Sequence, residues 1–282
     1  MYKYFKEYKL LYNHQYGFRP GHSTELASLD LVDKVYQNLD KKKLPVAIYI
    51  DLSKAFDTLD HSILLDKLHF YGIRNNSLKW FQSYLSGRQQ YVQIENTKSN
   101  MRLQVTTGVP QGSILGPLLF LIYVNDMAQA CNNFHGLLYA DDTTLISPLE
   151  NFQDDIVGTD HINTGVFSCN AGRLSDSNDI LVANINKELE SLTEWLSSNK
   201  LVLNASKTKF MLFHYPQRDV SHIKLNISFA GEIIEQVKVF NFLGLIISET
   251  MSWKPHIDKI ASKVARTFGI LNRLNICCHY IR

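Results

Sequence analysis

The sequence has little cysteine, and what there is does not staple it. Cys131, Cys169, Cys277 and Cys278 are its four cysteines. No two stand in a CxxC spacing, which leaves a cysteine-based zinc site without support. Adjacent Cys277 and Cys278 do not readily bridge each other. A reduced, intracellular chain is therefore expected, with nothing to separate nucleus from cytoplasm. Long apolar runs are missing too. The longest, near 114–124, contains Gly116 and Pro117 and is too short to span a bilayer. No secretory h-region opens the sequence, because Met1 to Tyr12 is charged and aromatic. No membrane partner is expected. An excess of charge is also absent: 29 Lys and Arg face 27 Asp and Glu, a formal net charge of +2. Overall charge thus says nothing about a nucleic-acid partner, but its distribution does. Residues 139–194 hold eleven Asp or Glu against two Lys or Arg, and residues 254–282 hold six Lys or Arg against one Asp. The second stretch is a local basic element on a nearly neutral protein. No internal repeat is found. What is present is an ordinary 45% apolar content over 282 residues, ample for the core of one large domain or two coupled ones.

His22-Ser23-Thr24 offers a helix cap, after which Leu26, Leu29, Val32, Tyr36 and Leu39 keep a roughly helical period. The run PVAIYI at 45–50 reads as a buried strand that leads straight into Asp51. Residues 62–71 read as a helix stopped by Gly72, 76–86 as another with Gly87 past its end, and 113–130 as a third, apolar one. Residues 90–94 and 101–106 read as a hairpin around 95–100. Residues 136–147 read as a second hairpin, with Asp141 and Asp142 at its tip. The polar stretch 148–178, with Gly158, Gly165 and Gly172, reads as a surface loop or insertion. A helix at 180–198, a strand at 207–214, several strands within 223–248 and a basic helix at 253–274 complete the chain. There is no regular βαβ repeat. The expected class is α+β, an antiparallel sheet covered by helices on one face.

A strand that ends in Asp puts a carboxylate at the rim of the sheet, and Asp51 does this. The hairpin tip places Asp141 at the rim as well. If the two strands are neighbours, the carboxylates converge, and without cations they must take up protons or bind a hard cation. Mg²⁺ prefers oxygen ligands and is commonly held by one or two carboxylates plus substrate phosphates. Two such ions clamp the attacking and leaving oxygens of phosphoryl transfer. A plainer reading also fits: Asp-Asp is ordinary turn chemistry, and Asp51 can cap a following helix. Either fragment by itself fits both readings equally.

Other segments break the tie. YADD at 139–142 resembles the catalytic box of reverse transcriptases, and AIYIDLSKAFDTLDH at 47–61 resembles their first carboxylate motif. TTGVPQGSILGPLLF at 106–120 is similar to their third signature. NASKTKFMLF at 204–213 and FNFLGLIIS at 240–248 are similar to two later motifs. QYGFRPGHST at 15–24 resembles the fingers segment of the non-LTR retrotransposon branch. The ordered set covers about residues 13–248. The wording FDTLDH, SYLSGR and QGSILGP is most similar to long-interspersed-element polymerases of the Jockey or CR1 kind.

The resemblance implies a right-hand polymerase. It would comprise partial fingers at 1–45 and a palm at 46–248, with a fingers segment at 60–106 and an insertion at 148–178. The start of the thumb would be the basic stretch 249–282. The implied reaction is RNA-directed DNA polymerisation by two Mg²⁺ ions, or Mn²⁺ in their place. Asp51 and Asp141 would ligate both, with Asp142 beside them and the Leu52 carbonyl touching metal. Lys207 matches a lysine proposed to protonate the pyrophosphate leaving group. Arg19 would pair with the triphosphate. Ala55 and Gln111 would line the nucleotide, and Phe56 would be the steric gate that rejects a ribose 2′-hydroxyl. Gly108, Gly112, Tyr139 and the pair Leu243-Gly244 would approach primer or template. Lys254, Lys259, Lys263, Arg266 and Arg273 would neutralise phosphates of the duplex. The implied partners are an RNA template, a DNA primer and deoxynucleoside triphosphates, with endonuclease and earlier fingers regions belonging to a longer polyprotein. Two other readings stand beside this one: an inactive retrotransposon remnant that at most binds nucleic acid, and a group II intron-type maturase polymerase.

Overall fold

The computed structural model describes residues 1–99, 101–149 and 171–279. A short helix, Tyr2–Glu7 (α1), precedes a long one, Thr24–Asp40 (α2). Ser23 caps α2: its hydroxyl accepts from the Leu26 N–H at 3.3 Å, satisfying one orphan donor of the first turn. Leu44–Ile50 (β1) is buried along its whole length. His61–Phe70 (α3) and Asn75–Leu85 (α4) follow, and Asp60 caps α3 by accepting from Ser62 N–H and Ile63 N–H at 2.9 and 3.1 Å. Two small ladders pair Gln89–Gln90 (β2) with Leu103–Gln104 (β5), and Gln93–Ile94 (β3) with Thr97–Lys98 (β4). Gly116–Tyr123 (α5) leads to the hairpin of His135–Tyr139 (β6) and Asp142–Leu149 (β7). Ala171–Ser198 (α6) and Lys209–Leu212 (β8) come next. Ser228–Phe229 (β9) pairs with Glu232–Ile233 (β10), and Glu235–Gln236 (β11) is a short edge strand. A last hairpin joins Val239–Phe242 (β12) to Leu245–Ser248 (β13), ahead of Lys254–His279 (α7).

Five strands form the main sheet in the order β11-β8-β1-β7-β6, antiparallel throughout except for the parallel β11–β8 edge. Alternation along β1 divides the core. Val46, Ile48 and Ile50 join the cluster that includes Leu64, Leu68, Phe120, Tyr123, Leu189 and Leu192 of α3, α5 and α6. Ala47 and Tyr49 point the other way, to Ala27, Leu31 and Val35 of α2 and to Phe242 and Ile247 of the last hairpin. Both faces are therefore covered, not one. This is why the strand reads as a continuous apolar run instead of an alternating one. Full burial of each Ile or Val here contributes about 1.5–3 kcal/mol.

Three sequence readings change. The buried stripe of α2 is Ala27, Leu31, Val35 and Leu39. Leu26 and Leu29 are 44% and 63% exposed. Neighbouring stripes have the same period, and contact with the sheet selects the one that carries small Ala27. The apolar run 113–130 is not one helix: α5 ends at Tyr123 and a 3₁₀ turn occupies Met127–Ala130. Buried Asn125 sits at the break. Its Oδ1 accepts from Tyr12 N–H at 2.8 Å, and its Nδ2 donates to Leu10 O and Tyr71 Oη, both at 2.8 Å. Such side-chain bonds compete with helix continuation. Finally, α6 begins at Ala171, inside the stretch read as a loop, while residues 150–170 of that stretch lie outside the described residues. Among the described residues no helix is long and apolar enough to cross a membrane.

Candidate active site

Asp51 sits at the end of β1 because the strand stops there and a second segment takes over its backbone. Its N–H donates to Thr208 Oγ1 at 3.3 Å and its carbonyl accepts from Asn204 N–H at 2.9 Å. Leu52 bridges Leu203, and Ser53 N–H donates to Val202 O at 2.8 Å. In β1–β7 the last pair is Ile50 with Thr143, so one further step of the same register sets Asp51 opposite Asp142. Tyr139 pairs with Asp142 across the hairpin, which leaves Ala140 and Asp141 as a two-residue loop. Ala140 has φ +57 and Asp141 does not share the positive sign. Positive φ at the first loop residue alone is the II′ pattern, which glycine usually supplies. For alanine it costs on the order of 1–3 kcal/mol and persists only where the surroundings enforce it.

The surroundings are a strap formed by residues 14–17. Leu138 N–H donates to His14 O at 2.9 Å, and Tyr16 N–H donates to Leu138 O at 2.7 Å, which adds a short parallel strand to the free edge of β6. Gln15 is 2% exposed. Its Oε1 accepts from both Gly17 N–H and Ala140 N–H, at 2.8 and 3.1 Å. A single buried amide oxygen thus holds the strained turn that presents Asp141.

Charge accumulates at this rim. Partial burial, and then the charges of Asp141 and Asp51, push the Asp142 carboxyl above its ordinary range. Lys207 Nζ lies 3.7 Å from Asp51 Oδ2, with the lysine 69% and the aspartate 34% exposed. Asp51, Asp142, Lys207, Tyr49, Phe240 and Leu243 line a cleft of about 240 Å³ between the sheet rim and the β12–β13 hairpin. Phe240 stacks on Tyr49 at 3.9 Å, which fixes that hairpin over the sheet. Its loop is Leu243-Gly244, both with positive φ (+48 and +94), the I′ geometry of a tight hairpin. The strand register sets Asp142 across from Asp51, with Asp141 next to it at the exposed tip of the hairpin.

Other expected site residues are placed as follows. Phe56 stacks on Phe120 at 4.3 Å and meets Phe18 edge-on at 6.1 Å, half-buried beside buried Ala55. Gln111 is exposed and donates to Asp57 Oδ1 at 2.9 Å. Gly112 has φ +75 and open space where a Cβ would stand. Gly108 is pressed on the Asp57 backbone, which a Cβ would meet at 2.7 Å. Arg19 is turned inward: its Nη1 donates to Tyr12 O and Gln15 O at 2.8 and 3.0 Å. Lys254, Lys259, Lys263 and Arg266 are exposed on α7 and are not among the residues that line the carboxylate cleft, and the Arg273 side chain lies outside the described residues. Gln15, Gly17, Asn204 and Thr208 were not singled out from sequence, although all four lie within recognisable motifs. Their roles are packing and backbone hydrogen bonds, which leave no local pattern.

The donor set suits a hard divalent ion. It is made of carboxylate oxygens whose mutual repulsion a cation relieves. Among the described residues the three aspartates do not form a closed set of oxygens all within 4.8 Å of one another. An open set is what Mg²⁺ sites use when substrate phosphates complete the shell.

Comparison with known proteins follows the same line. A family model described as reverse transcriptase (RNA-dependent DNA polymerase) matches residues 1–247. The chain is 29% identical over 257 residues to the "Probable RNA-directed DNA polymerase from transposon BS" of Drosophila melanogaster, covering 89% of this chain and 25% of that protein. It is 25% identical over 273 residues to the "RNA-directed DNA polymerase from mobile element jockey" of the same organism, covering 94% and 27%. The chain thus spans about a quarter of the length of these curated relatives. A solved apo telomerase from Candida tropicalis superposes with a TM-score of 0.50 at 14% identity, covering 89% of this chain and 39% of that one, a likeness of fold alone.

Proposed function

Since the chain belongs to the reverse transcriptase family, with relatives among non-LTR retrotransposon polymerases, we propose that it carries the nucleotidyl-transfer centre of an RNA-directed DNA polymerase. The observation that carries this reading is the meeting of Asp51 and Asp142 in one cleft roofed by the β12–β13 hairpin, with Asp141 next to them at the tip of the β6–β7 hairpin. Reverse transcriptases as a family use divalent metal ions. Two Mg²⁺ ions, or Mn²⁺, would be held by the three aspartates and the Leu52 carbonyl, and would neutralise charge on the attacking and leaving oxygens. The protein's own residues position the rest. The rigid hairpin presents Asp141 to the primer 3′-hydroxyl, with Tyr139 beneath. Leu243 lines the same cleft, and the Leu243-Gly244 turn would support the primer strand. Lys207 lies 3.7 Å from Asp51 and is 69% exposed, so its side chain has room to reach departing pyrophosphate as the proton donor. Arg19 acts in this reading through the strap, whose carbonyls it ties together, and reaches a triphosphate only by leaving them. The division into fingers, palm and thumb at 1–45, 46–248 and 249–282 belongs to the same proposal.

Primer extension with Mg²⁺ on an RNA template, using this chain and one extended upstream, tests the reading. Templated deoxynucleotide addition by either supports it. Tight binding of the template–primer without addition by either establishes a binding remnant instead.

Two narrower results are expected. Phe56→Val should raise ribonucleotide incorporation relative to deoxynucleotide by about 10–10²-fold in single-nucleotide kinetics, because its ring rests on Phe120 and would lie under the sugar. Unchanged sugar discrimination removes the gate assignment. The combined change Lys259→Gln, Lys263→Gln, Arg266→Gln should lower the slope of log K against log salt for an RNA–DNA duplex by about 1 per contacted phosphate lost. An unaltered slope would mean that this face of α7 is merely solvated.

A further inference from the structure

A second polar cluster lies at the opposite end of β6 from the catalytic turn. His14 belongs to the strap, His135 opens β6, and Asp30 sits midway along α2. His14 Nδ1 is 2.8 Å and His135 Nε2 3.2 Å from the same oxygen, Asp30 Oδ2. The two imidazole rings stand edge to face with centroids 4.3 Å apart. The three ligand atoms lie within 4.8 Å of one another, the closed arrangement that the catalytic aspartates lack. Tyr16 Oη donates to the same carboxylate oxygen at 3.0 Å. Side-chain exposures are 36% for His14, 21% for His135 and 13% for Asp30, so the site is enclosed yet reachable from solvent past His14.

We propose that His14, Asp30 and His135 form a zinc-binding site, with water in the fourth position, that clamps the strap to α2 and β6. Two imidazole nitrogens and one carboxylate oxygen are a recurrent three-residue ligand set for Zn²⁺, with a fourth position open. Bonds of about 2.0–2.2 Å in a tetrahedron put ligand atoms roughly 3.4 Å apart, so the observed 2.8 and 3.2 Å need to widen only by tenths of an ångström. Mg²⁺ is disfavoured, since it demands oxygen ligands in octahedral geometry. Tyr16 supplies the outer hydrogen bond that orients a ligating carboxylate.

The site also bears on the strap's task. His14 is next to Gln15, whose amide oxygen holds Ala140. From His135 to Tyr139 is four strand residues, about 13 Å. The metal would be too far from the aspartates to take part in the reaction there. It would stabilise the element that fixes the turn.

The test uses the purified full chain, stripped by chelator, dialysed, and titrated with Zn²⁺ alone. The expected result is one Zn²⁺ per chain by calorimetry and by metal analysis, with a rise in Tm on loading. Zinc-edge X-ray absorption on the unaltered protein should show two imidazole rings with nitrogen and oxygen neighbours and no sulfur. This readout needs no variant to fold. His135→Gln and Asp30→Asn should each weaken binding by more than the about 10–10²-fold typical of losing an outer partner. The double variant Asp51→Asn, Asp141→Asn should bind Zn²⁺ as the parent does. Absence of stoichiometric zinc in the parent, sulfur in the absorption spectrum, or undiminished binding by a folded His135→Gln variant would overturn the proposal.

Discussion

Replacing Asp141 with Asn is expected to lower primer extension by at least about 10³-fold while leaving the fold intact, the scale on which losing one transition-state charge contact is felt. Asp141 is exposed at the tip of a two-residue loop, and the turn is held by Gln15 through the backbone of Ala140. Asn is isosteric, so nothing structural is removed except a charge. Asp142→Asn is expected to be crippling as well, but with an added signature. The Asp142 carboxyl has a raised pKa because it is partly buried and then because Asp141 and Asp51 repel its charge. A raised carboxyl pKa in the folded state favours the protonated form. The matching stability is fully present below the ordinary value of about 3.9 and is lost as pH climbs through the raised one. At neutral pH the metal-free protein therefore bears the repulsion. Asp142→Asn should raise its Tm without Mg²⁺, and Mg²⁺ should raise the Tm of the parent more than that of the variant. Single-nucleotide extension and melting curves with and without Mg²⁺ check both halves. Extension by Asp141→Asn within tenfold of the parent would remove Asp141 from the reaction.

What could be read ahead of the structure follows from how local each signal is. The PVAIYI strand, the hairpin around Asp141-Asp142 and the capped helix after Ser23 are written in consecutive residues, and each lies within a few positions of its expected bounds. The pairing of β1 with β7 joins segments almost a hundred residues apart, so no local pattern carries it, and the same pairing is what brings Asp51 to the hairpin of Asp141 and Asp142. The second covered face was not legible, because Ala27, Leu31 and Val35 form one of two equally periodic stripes on α2. The His14–Asp30–His135 cluster was invisible for a related reason. Its members are 16 and 105 residues apart, and no spacing rule joins them until a strap, a helix and a strand edge meet. Motif resemblance found the reacting groups, whereas the residues that hold them are recognised only from contact.

Gly17 makes the strongest case for that second class. A Cβ built on Gly17 would stand 2.3 Å from Ala140 N and 3.0 Å from both Ala140 Cα and the Tyr139 carbonyl carbon. All three are backbone atoms, so no side chain can swing aside. Gly17→Ala must therefore push the strap off the hairpin. The shift breaks the 3.1 Å bond from Ala140 N–H to Gln15 Oε1. It strands a buried donor, at about 1–3 kcal/mol, and releases a turn whose positive φ survives only under constraint. A loss of about 2–4 kcal/mol is expected, seen as a Tm lowered by about 5–15 °C. Extension should fall by more than the unfolded fraction explains, because the loosened turn is the one that carries Asp141. Gly269→Ala is the contrast. It lies within α7 with nothing near its added Cβ, and removing a helical glycine should stabilise by about 0.5–1 kcal/mol. If Gly17→Ala melts and extends like the parent, the strap does not hold the catalytic turn. If it melts lower but extends normally below its Tm, the strap stabilises the fold without shaping the site.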